Sequence, residues 1–229
     1  GDKKRMWQMI REFAPSHPLY PASPKNIWPQ EHPVMRKIYL SVYERFDELS
    51  RILLDLLECY LEAPTGYFLD RAKDGRSLLR TNYYPPLEQL QRGEYGIYRA
   101  NEHTDVNFMT IMPMATDTGL QIRDDQGEWQ TIDAKPGSLI VVTGRMMMVM
   151  TNTYLKPAWH RVVDPEDSTK ERWSMPFFVH PKSTDTIETL PRFITPAYPT
   201  PLPRMTRDEF VQAGRENTHG IREWVTNYS

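Results

Sequence analysis

Short β-type runs separated by turn signals occupy the chain from residue 78 onward, and they constrain the fold more than any other feature. The runs span residues 78–83, 110–113, 120–123, 129–132, 139–143 and 173–179. Residues 124–127, Asp-Asp-Gln-Gly, form a clear hairpin turn between two alternating segments. Short strands at this spacing predict a sandwich or barrel, and they disfavour a parallel sheet with crossover helices.

Helical patterns flank this β-rich region. Apolar side chains recur at three- and four-residue steps from about Val34 to Glu62, which predicts one long amphipathic helix. Residues 13–33 carry six prolines, and this density predicts an extended surface segment. In the tail, Thr206 and Glu209 fit a capping box, so a helix is expected to begin near Arg207.

At 229 residues the chain is long enough for one domain with an ample core. We expect four consecutive parts. They are a Pro-rich extended segment at residues 1–33, a helical support region at 34–77, a β-rich core at 78–195, and a C-terminal linker and helix at 196–229.

Composition restricts the partners and the compartment. A net charge of −2 with both signs mixed along the chain gives no reason to expect nucleic acid, so a small, neutral-to-polar molecule is the expected partner. No apolar run approaches the ~18 residues of a membrane span, and no secretion signal follows residues 1–5, which favours the cytoplasm. The single cysteine, Cys59, is predicted to be a small buried residue of the long helix and not a catalytic thiol.

Two histidines fall in the β-rich region. Three others precede prolines, and His219 lies in the tail, which leaves His103 and His160. His103-Thr104-Asp105 places an imidazole and a carboxylate two residues apart, so both point to one side of a strand or its edge. His160 lies at or just before another short extended run. Because a His-x-Asp pair alone is more often an ordinary surface or core pair, a metal hypothesis depends on further residues.

The three side chains suit one kind of metal site in particular. Two neutral imidazoles and one carboxylate leave three coordination positions open, as in non-haem iron(II) enzymes that admit both O2 and a substrate. A closed structural zinc site would need four ligands, usually including thiolates, and the chain has one cysteine.

A candidate anion receptor follows downstream of His160. Arg172 and Ser174 are two residues apart, so on a strand their guanidinium and hydroxyl point to the same face. Arginine offers a planar bidentate fork and serine adds one donor. Together they predict a carboxylate receptor.

These motifs together resemble a known family. The chain is similar to the isopenicillin N synthase-like branch of the iron(II)/2-oxoglutarate-dependent dioxygenases over residues 78 to 181, roughly half its length. The similarity rests on an ordered set of motifs: Arg80-Thr81-Asn82-Tyr83-Tyr84-Pro85-Pro86, His103-Thr104-Asp105, Gly119-Leu120-Gln121-Ile122, Pro136-Gly137-Ser138, Gly144, Thr151-Asn152, His160-Arg161-Val162 and Arg172-Trp173-Ser174 with Pro176-Phe177-Phe178.

The resemblance implies a fold and a metal site. The fold would be mainly β with flanking helices: a double-stranded β-helix, or jelly roll, with the long helix packed outside. His103, Asp105 and His160 would bind Fe(II) at one end of the barrel. The resemblance also implies that the N-terminal strand and helix with which family members usually begin are absent from this chain or truncated.

It further implies a cosubstrate, 2-oxoglutarate, which is used together with O2. Arg172 and Ser174 would hold its distal carboxylate, Tyr84 would add a hydroxyl, and Asn82 would lie near its metal-bound end. The implied reaction couples oxidative decarboxylation of 2-oxoglutarate to hydroxylation, desaturation or cyclisation of a small organic substrate.

Alternative functions stay open at this point. An oxidase of the same fold takes all its electrons from its substrate, as isopenicillin N synthase does, and uses no 2-oxoglutarate. A metal-binding barrel without turnover, such as a sensor, is a third reading. A zinc hydrolase is disfavoured because no motif supplies a general base.

One local pattern is ambiguous. Residues 146–150, Met-Met-Met-Val-Met, are expected to fill the core as part of a strand near the barrel, because thioether is a poor ligand for iron(II).

Overall fold

The computed structural model describes residues 2–90 and 98–216; residues 217–229, which include His219, lie outside the described residues. Its strands and helices follow one another in the order β1 (Arg5–Ile10), α1 (Pro33–Tyr60), α2 (Leu69–Ala72), β2 (Leu78–Tyr84), β3 (Ala100–His103), β4 (Met109–Pro113), β5 (Leu120–Arg123), β6 (Trp129–Thr131), β7 (Leu139–Thr143), α3 (Arg145–Met150), β8 (His160–Val162), β9 (Arg172–Ser174), β10 (Phe177–Val179), β11 (Thr186–Ile187), β12 (Met205–Thr206) and α4 (Arg207–Glu216).

Two antiparallel sheets enclose the interior. The larger has six strands in the order β1-β2-β10-β4-β7, with β9 also pairing with β2, and the smaller has the order β3-β8-β5-β6. Strands β11 and β12 form a separate pair. Every pairing is antiparallel, as the short strands predict, and the jelly-roll fold with flanking helices is confirmed.

Several elements lie where the sequence predicts them. The hairpin of β5 and β6 turns at Gly127, whose φ of +89° only glycine adopts at little cost. Helix α1 lies within two residues of its predicted limits. Helix α4 begins at Arg207 behind the capping box, in which the Thr206 backbone N–H donates to Glu209 Oε2 and the Glu209 N–H donates to Thr206 Oγ1.

Three local predictions are wrong. The run at residues 173–179 is two strands, β9 and β10, because Pro176 cannot donate a ladder hydrogen bond. The methionine-rich run is fully buried as expected, but it is helix α3 and not a strand; unbranched methionine side chains suit a helix, and Gly144 precedes its first residue. Cys59 is exposed, because it lies beside the buried seam of α1.

Strand β1 was not predicted. It lies within the segment expected to be merely extended, and it pairs with β2 from Arg5 opposite Tyr83 to Ile10 opposite Leu78. The partner strand is distant in sequence, so no local sequence pattern predicts this pairing.

Helix α1 packs on the outer face of the larger sheet. Its Tyr43 ring meets the Phe177 ring of β10 edge-on at 5.0 Å, and its Phe46 ring stacks on Phe177 at 5.5 Å. The buried seam also contains a carboxylate, because Glu58 accepts backbone N–H bonds from Gly66, Phe68 and Leu69 at 2.7, 2.7 and 2.9 Å. This carboxylate therefore fixes the turn between α1 and α2.

We expect Glu58→Ala to lower the free energy of unfolding by about 2 to 3 kcal/mol, because it leaves buried backbone donors without an acceptor. Urea unfolding followed by circular dichroism measures the change. Glu48→Ala, at a side chain 66% exposed on the same helix, is the matched control and should stay within about 0.5 kcal/mol of the parent. Equal stabilities for the two variants would contradict the role given to Glu58.

Candidate metal centre

His103 and His160 face each other across two strands of the smaller sheet. They are directly opposite residues of β3 and β8, and their ring centroids lie 4.3 Å apart. Asp105 follows two residues after the end of β3, and its Oδ1 lies 4.0 Å from His103 Nε2 and 3.9 Å from His160 Nε2. The three side chains predicted to share a metal therefore converge.

The hydrogen bonds of the two imidazoles orient their metal-binding nitrogens. His103 Nδ1 lies 2.7 Å from the Asn101 carbonyl oxygen, and His160 Nδ1 lies 3.0 Å from that of Ala158. A carbonyl accepts only, so each Nδ1 carries the proton and each Nε2 keeps its lone pair. Both lone pairs are therefore available to a cation beside Asp105.

Asp105 is held by polar partners that the sequence did not reveal. Thr110 Oγ1 donates to Asp105 Oδ2 at 2.5 Å, and Asn107 Nδ2 donates in turn to Thr110 Oγ1 at 2.9 Å. The Arg145 backbone N–H donates to the Asp105 carbonyl oxygen at 2.8 Å. Because Thr110 occupies Oδ2, Oδ1 is the oxygen that faces the imidazoles. No sequence motif identifies Thr110 or Asn107, because their roles depend on the folded conformation of the loop that carries Asp105.

Gly144 makes this arrangement possible through close backbone approach. A Cβ built at residue 144 would lie 2.2 Å from the Asn107 carbonyl oxygen and 2.4 Å from Asn107 Oδ1. The Gly144 N–H donates to the Phe108 carbonyl oxygen at 2.9 Å. Glycine is therefore required at this position for α3 to begin against the loop that carries Asp105.

The donor set suits a divalent cation with open positions. All three donor atoms lie within 4.8 Å of one another, and two atoms bonded to one ion at about 2.1 Å can be no more than about 4.2 Å apart. To bind one ion, the donor atoms must therefore move slightly closer together. The His103 side chain is 43% exposed and has room to move. No fourth His, Cys, Asp or Glu joins the group within residues 2–90 and 98–216.

The electrostatics favour neutral imidazole at His103. Burial lowers its pKa, the neighbouring His160 lowers it further, and the carboxylate of Asp105 opposes both effects. A neutral imidazole is the form that binds a metal.

The four candidate cosubstrate residues form two residue pairs of the larger sheet, separated by the pair of Tyr83 and Trp173. Arg172 of β9 is paired with Tyr84 of β2, and Ser174 is paired with Asn82. Side chains two residues apart on a strand share a face, and all four line the cavity that contains the metal candidates. The sequence argument for a shared face at Arg172 and Ser174 is therefore consistent with the structure.

Arg172 is a buried cation fixed in place. Its Nε donates to the carbonyl oxygens of Asp117 and Thr118, both at 3.1 Å, and its guanidinium lies 5.2 Å from the centre of the Tyr84 ring. Burial lowers its pKa, but from a value so high that the group stays charged. Two residues along the ladder, Asn82 Nδ2 donates to Ser174 Oγ at 3.3 Å, and Asn82 Oδ1 is buried with no hydrogen-bond partner among the described residues.

The cavity lined by the candidate metal ligands and the candidate cosubstrate residues has a volume of about 340 Å³. This lies at the small end of the range of about 300 to 1,000 Å³ seen for ligand pockets. The candidate metal ligands and the candidate cosubstrate residues therefore line one site, which has room for small molecules only.

Comparison with known proteins identifies similar sequences and structures. A sequence model of the 2OG-Fe(II) oxygenase superfamily matches residues 75–181. A crystal structure of a 2OG-Fe(II) oxygenase family protein from Caulobacter crescentus has 32% identity and a TM-score of 0.83, and the match covers 93% of this chain and 69% of that one. A crystal structure of JOX2 in complex with 2OG, Fe and JA has 26% identity and a TM-score of 0.74, covering 92% of this chain and 60% of that one.

A curated relative is considerably longer than this chain. Gibberellin 20 oxidase 2 from Oryza sativa subsp. indica is 30% identical over 164 residues, which is 72% of this chain and 40% of that protein. The chain thus spans less than half of the length of this relative.

Proposed function

Because this chain belongs to the 2OG-Fe(II) oxygenase superfamily, we propose that it is a non-haem iron(II) dioxygenase that uses 2-oxoglutarate and O2. It couples oxidative decarboxylation of 2-oxoglutarate to hydroxylation, desaturation or cyclisation of a small organic substrate. The observation that carries the proposal is that His103, Asp105 and His160 share one small cavity with the buried cation Arg172.

In this proposal His103, Asp105 and His160 hold Fe(II), which when bound supplies the chemistry of O2 activation. The protein's own groups do the positioning. The carbonyl oxygens of Asn101 and Ala158 keep both Nε2 lone pairs aimed at the ion. With only these three side chains as ligands, the ion would remain accessible to the cosubstrate and O2.

Arg172 and Ser174 bind the distal carboxylate of 2-oxoglutarate, with Tyr84 beside them. Arg172 lines the cavity with its Nε already bonded to backbone carbonyls, so its fork is oriented before the anion arrives. Asn82 Oδ1 has no hydrogen-bond partner in the part of the chain that the structure describes, and Asn82 bonds to Ser174, and both observations support a place for Asn82 beside the bound cosubstrate. The complex of JOX2 with 2OG, Fe and JA supports the same combination of metal, cosubstrate and small substrate here.

Anaerobic reconstitution tests the proposal. Adding 2-oxoglutarate to the Fe(II)-loaded protein should produce a weak visible charge-transfer band that saturates with cosubstrate. During turnover, one succinate should form for each O2 consumed. Oxygen consumption without succinate would instead favour an oxidase of the isopenicillin N synthase type, and metal binding with no O2 consumption would favour a non-catalytic barrel.

We expect Thr110→Val to lower Fe(II) affinity by roughly 10- to 100-fold, because it removes the hydroxyl that orients Asp105 while keeping the side-chain volume. Equilibrium dialysis under anaerobic conditions measures the affinity. Thr131→Val, at an exposed threonine of β6, is the control and should bind iron as the parent does. Unchanged affinity in Thr110→Val would show that Asp105 needs no such support.

Among the described residues, none of the helices combines the length and the apolar character that a bilayer crossing requires. A cytoplasmic location stays a prediction from the sequence.

A further inference from the structure

Arg99 is a fully buried cation to which the proposed reaction has so far given no role. It directly precedes β3, and 0% of its surface is exposed. Burying an arginine costs free energy, and a buried ion pair is often no more stable than apolar residues of the same volume. Buried charged groups of this kind are concentrated at functional sites. A role in the neighbouring site is therefore a reasonable explanation for Arg99.

Arg99 contacts both of the segments that determine the position of Arg172. Its Nη2 donates a hydrogen bond to the carbonyl oxygen of Lys170, two residues before Arg172. Its Nη1 lies 3.9 Å from Asp117 Oδ2. The backbone carbonyl of the same Asp117 accepts a hydrogen bond from Arg172 Nε at 3.1 Å. One guanidinium thus contacts the chain that leads into β9 and the residue that orients Arg172.

The loop at residues 116–118 is also bound directly to β9. The Thr116 N–H donates to the Trp173 carbonyl oxygen at 3.0 Å, and the Trp173 N–H donates to Thr116 Oγ1 at 2.8 Å. The position of this loop matters for Arg172, because the carbonyl oxygens of Asp117 and Thr118 both accept from Arg172 Nε. Arg99 therefore stabilises the loop at Asp117, next to the point where the loop is bonded to the strand.

The charges of Arg99 and Arg172 are close enough to interact. Burial lowers the pKa of Arg172, Tyr84 opposes this effect, and Arg99 lowers the pKa further. Burial also lowers the pKa of Arg99, and the carboxylate of Asp117 opposes it. Both guanidinium groups stay charged because the pKa of arginine is very high. Asp117 raises the pKa of both arginines, so its carboxylate offsets the repulsion between them.

We propose that Arg99 is a positioning residue for cosubstrate binding, and that it acts through Lys170 and Asp117 on the orientation of Arg172. Arg99 is not one of the described residues that line the cavity, so its effect on the cosubstrate is indirect. An arginine fork binds a carboxylate strongly when both of its N–H groups are aimed in advance. Arg99 thus controls how strongly the protein prefers a 2-oxo acid with a distal carboxylate. This inference rests on the proposed function.

A comparison of 2-oxoglutarate with 2-oxobutanoate, which lacks the distal carboxylate, tests the proposal. Each acid is titrated anaerobically into the Fe(II)-loaded protein, and the charge-transfer band gives its affinity. In Arg99→Met we expect 2-oxoglutarate to bind roughly 10-fold or more weakly than in the parent, because the fork of Arg172 is no longer aimed. The affinities for 2-oxobutanoate and for Fe(II) should stay within about twofold of the parent, since neither involves the distal carboxylate. Retained Fe(II) binding also shows that the barrel is folded.

Two further variants separate positioning from a simple effect of charge. Arg99→Lys keeps a charged donor beside Lys170 and Asp117, so its preference for 2-oxoglutarate should fall between those of the parent and Arg99→Met. The double variant Arg99→Met with Asp117→Asn removes one positive and one negative charge, so the net charge near Arg172 is unchanged. It still lacks the bond to Lys170 and should bind 2-oxoglutarate as weakly as Arg99→Met. This double variant leaves no unpaired carboxylate at residue 117, and it carries the comparison if Arg99→Met does not fold.

Arg11→Met is the matched control. Arg11 is also a buried arginine with an aspartate and a backbone carbonyl as partners: its Nη1 donates to Asp47 Oδ2 and its Nε donates to the Gly75 carbonyl oxygen, both at 3.3 Å. It contacts helix α1 and is not one of the described residues that line the cavity. Arg11→Met should therefore keep the parent's preference for 2-oxoglutarate over 2-oxobutanoate.

The outcomes separate this proposal from the one on which it rests. If the parent prefers 2-oxoglutarate and Arg99→Met keeps that preference, or weakens both acids equally, Arg99 does not position Arg172 and the dioxygenase proposal stands. Recovery of the preference in the double variant would show an effect of charge alone, and it would equally overturn the positioning role. If the Fe(II)-loaded parent does not bind 2-oxoglutarate, the proposed function fails and this proposal fails with it.

Discussion

His160→Ala should abolish the charge-transfer band of the Fe(II)-2-oxoglutarate complex at concentrations that saturate the parent protein. The change removes one of two imidazoles from a three-ligand site and leaves His103 and Asp105 alone. Altering a residue that merely supports a metal ligand typically costs 10- to 100-fold in affinity. We therefore expect loss of the ligand itself to cost more than about 100-fold, or more than about 2.7 kcal/mol.

The measurement is an anaerobic Fe(II) titration, followed by absorbance with 2-oxoglutarate present and by iron analysis after dialysis. His32→Ala is a suitable control, because His32 is exposed and makes no side-chain hydrogen bond at the start of α1. Circular dichroism of both variants separates loss of metal from loss of fold. A His160→Ala protein that still bound iron tightly and showed the band would exclude His160 as a ligand.

Local patterns in the sequence were sufficient for much of the fold. The hairpin of β5 and β6, the long helix α1 and the capped helix α4 depend on residues close together in the chain, and all three formed as predicted. The methionine-rich run shows where local patterns fail, because its burial was predicted correctly and its secondary structure was not. An apolar run such as residues 146–150 is equally compatible with a buried strand and a buried helix.

In the candidate site, too, some features could be predicted from local spacing and others could not. The pairs His103 with Asp105 and Arg172 with Ser174 could be found because two-residue spacing places side chains on one face of a strand. The hydrogen bond from Thr110 to Asp105 could not be predicted, because it depends on how the loop that carries Asp105 packs against the start of α3.

The position of Arg145 in the lining of the cavity could not be predicted from the sequence either. It depends on helix α4 packing over the barrel with Gly214 at the contact, and this packing involves residues far apart in sequence.

Arg172→Ala should weaken 2-oxoglutarate binding by about 2 to 5 kcal/mol, or roughly 30- to several thousand-fold, with Fe(II) affinity unchanged. The guanidinium is buried, and removing it leaves the distal carboxylate without its proposed partner. Titrating the charge-transfer band with 2-oxoglutarate at fixed Fe(II) gives the affinity. Arg172→Lys keeps the charge but not the bidentate fork, and should fall between the parent and Arg172→Ala.

A comparison with 2-oxobutanoate locates the interaction on the distal carboxylate. This analogue keeps the 2-oxo acid end that would meet the metal but lacks the second carboxylate, so the parent protein should bind it much more weakly than 2-oxoglutarate. In Arg172→Ala the two acids should bind almost equally, since the group that distinguishes them is gone. A preference for 2-oxoglutarate that persisted in Arg172→Ala would assign the distal carboxylate to another cation of the cavity, with Arg80 and Arg145 the first to examine.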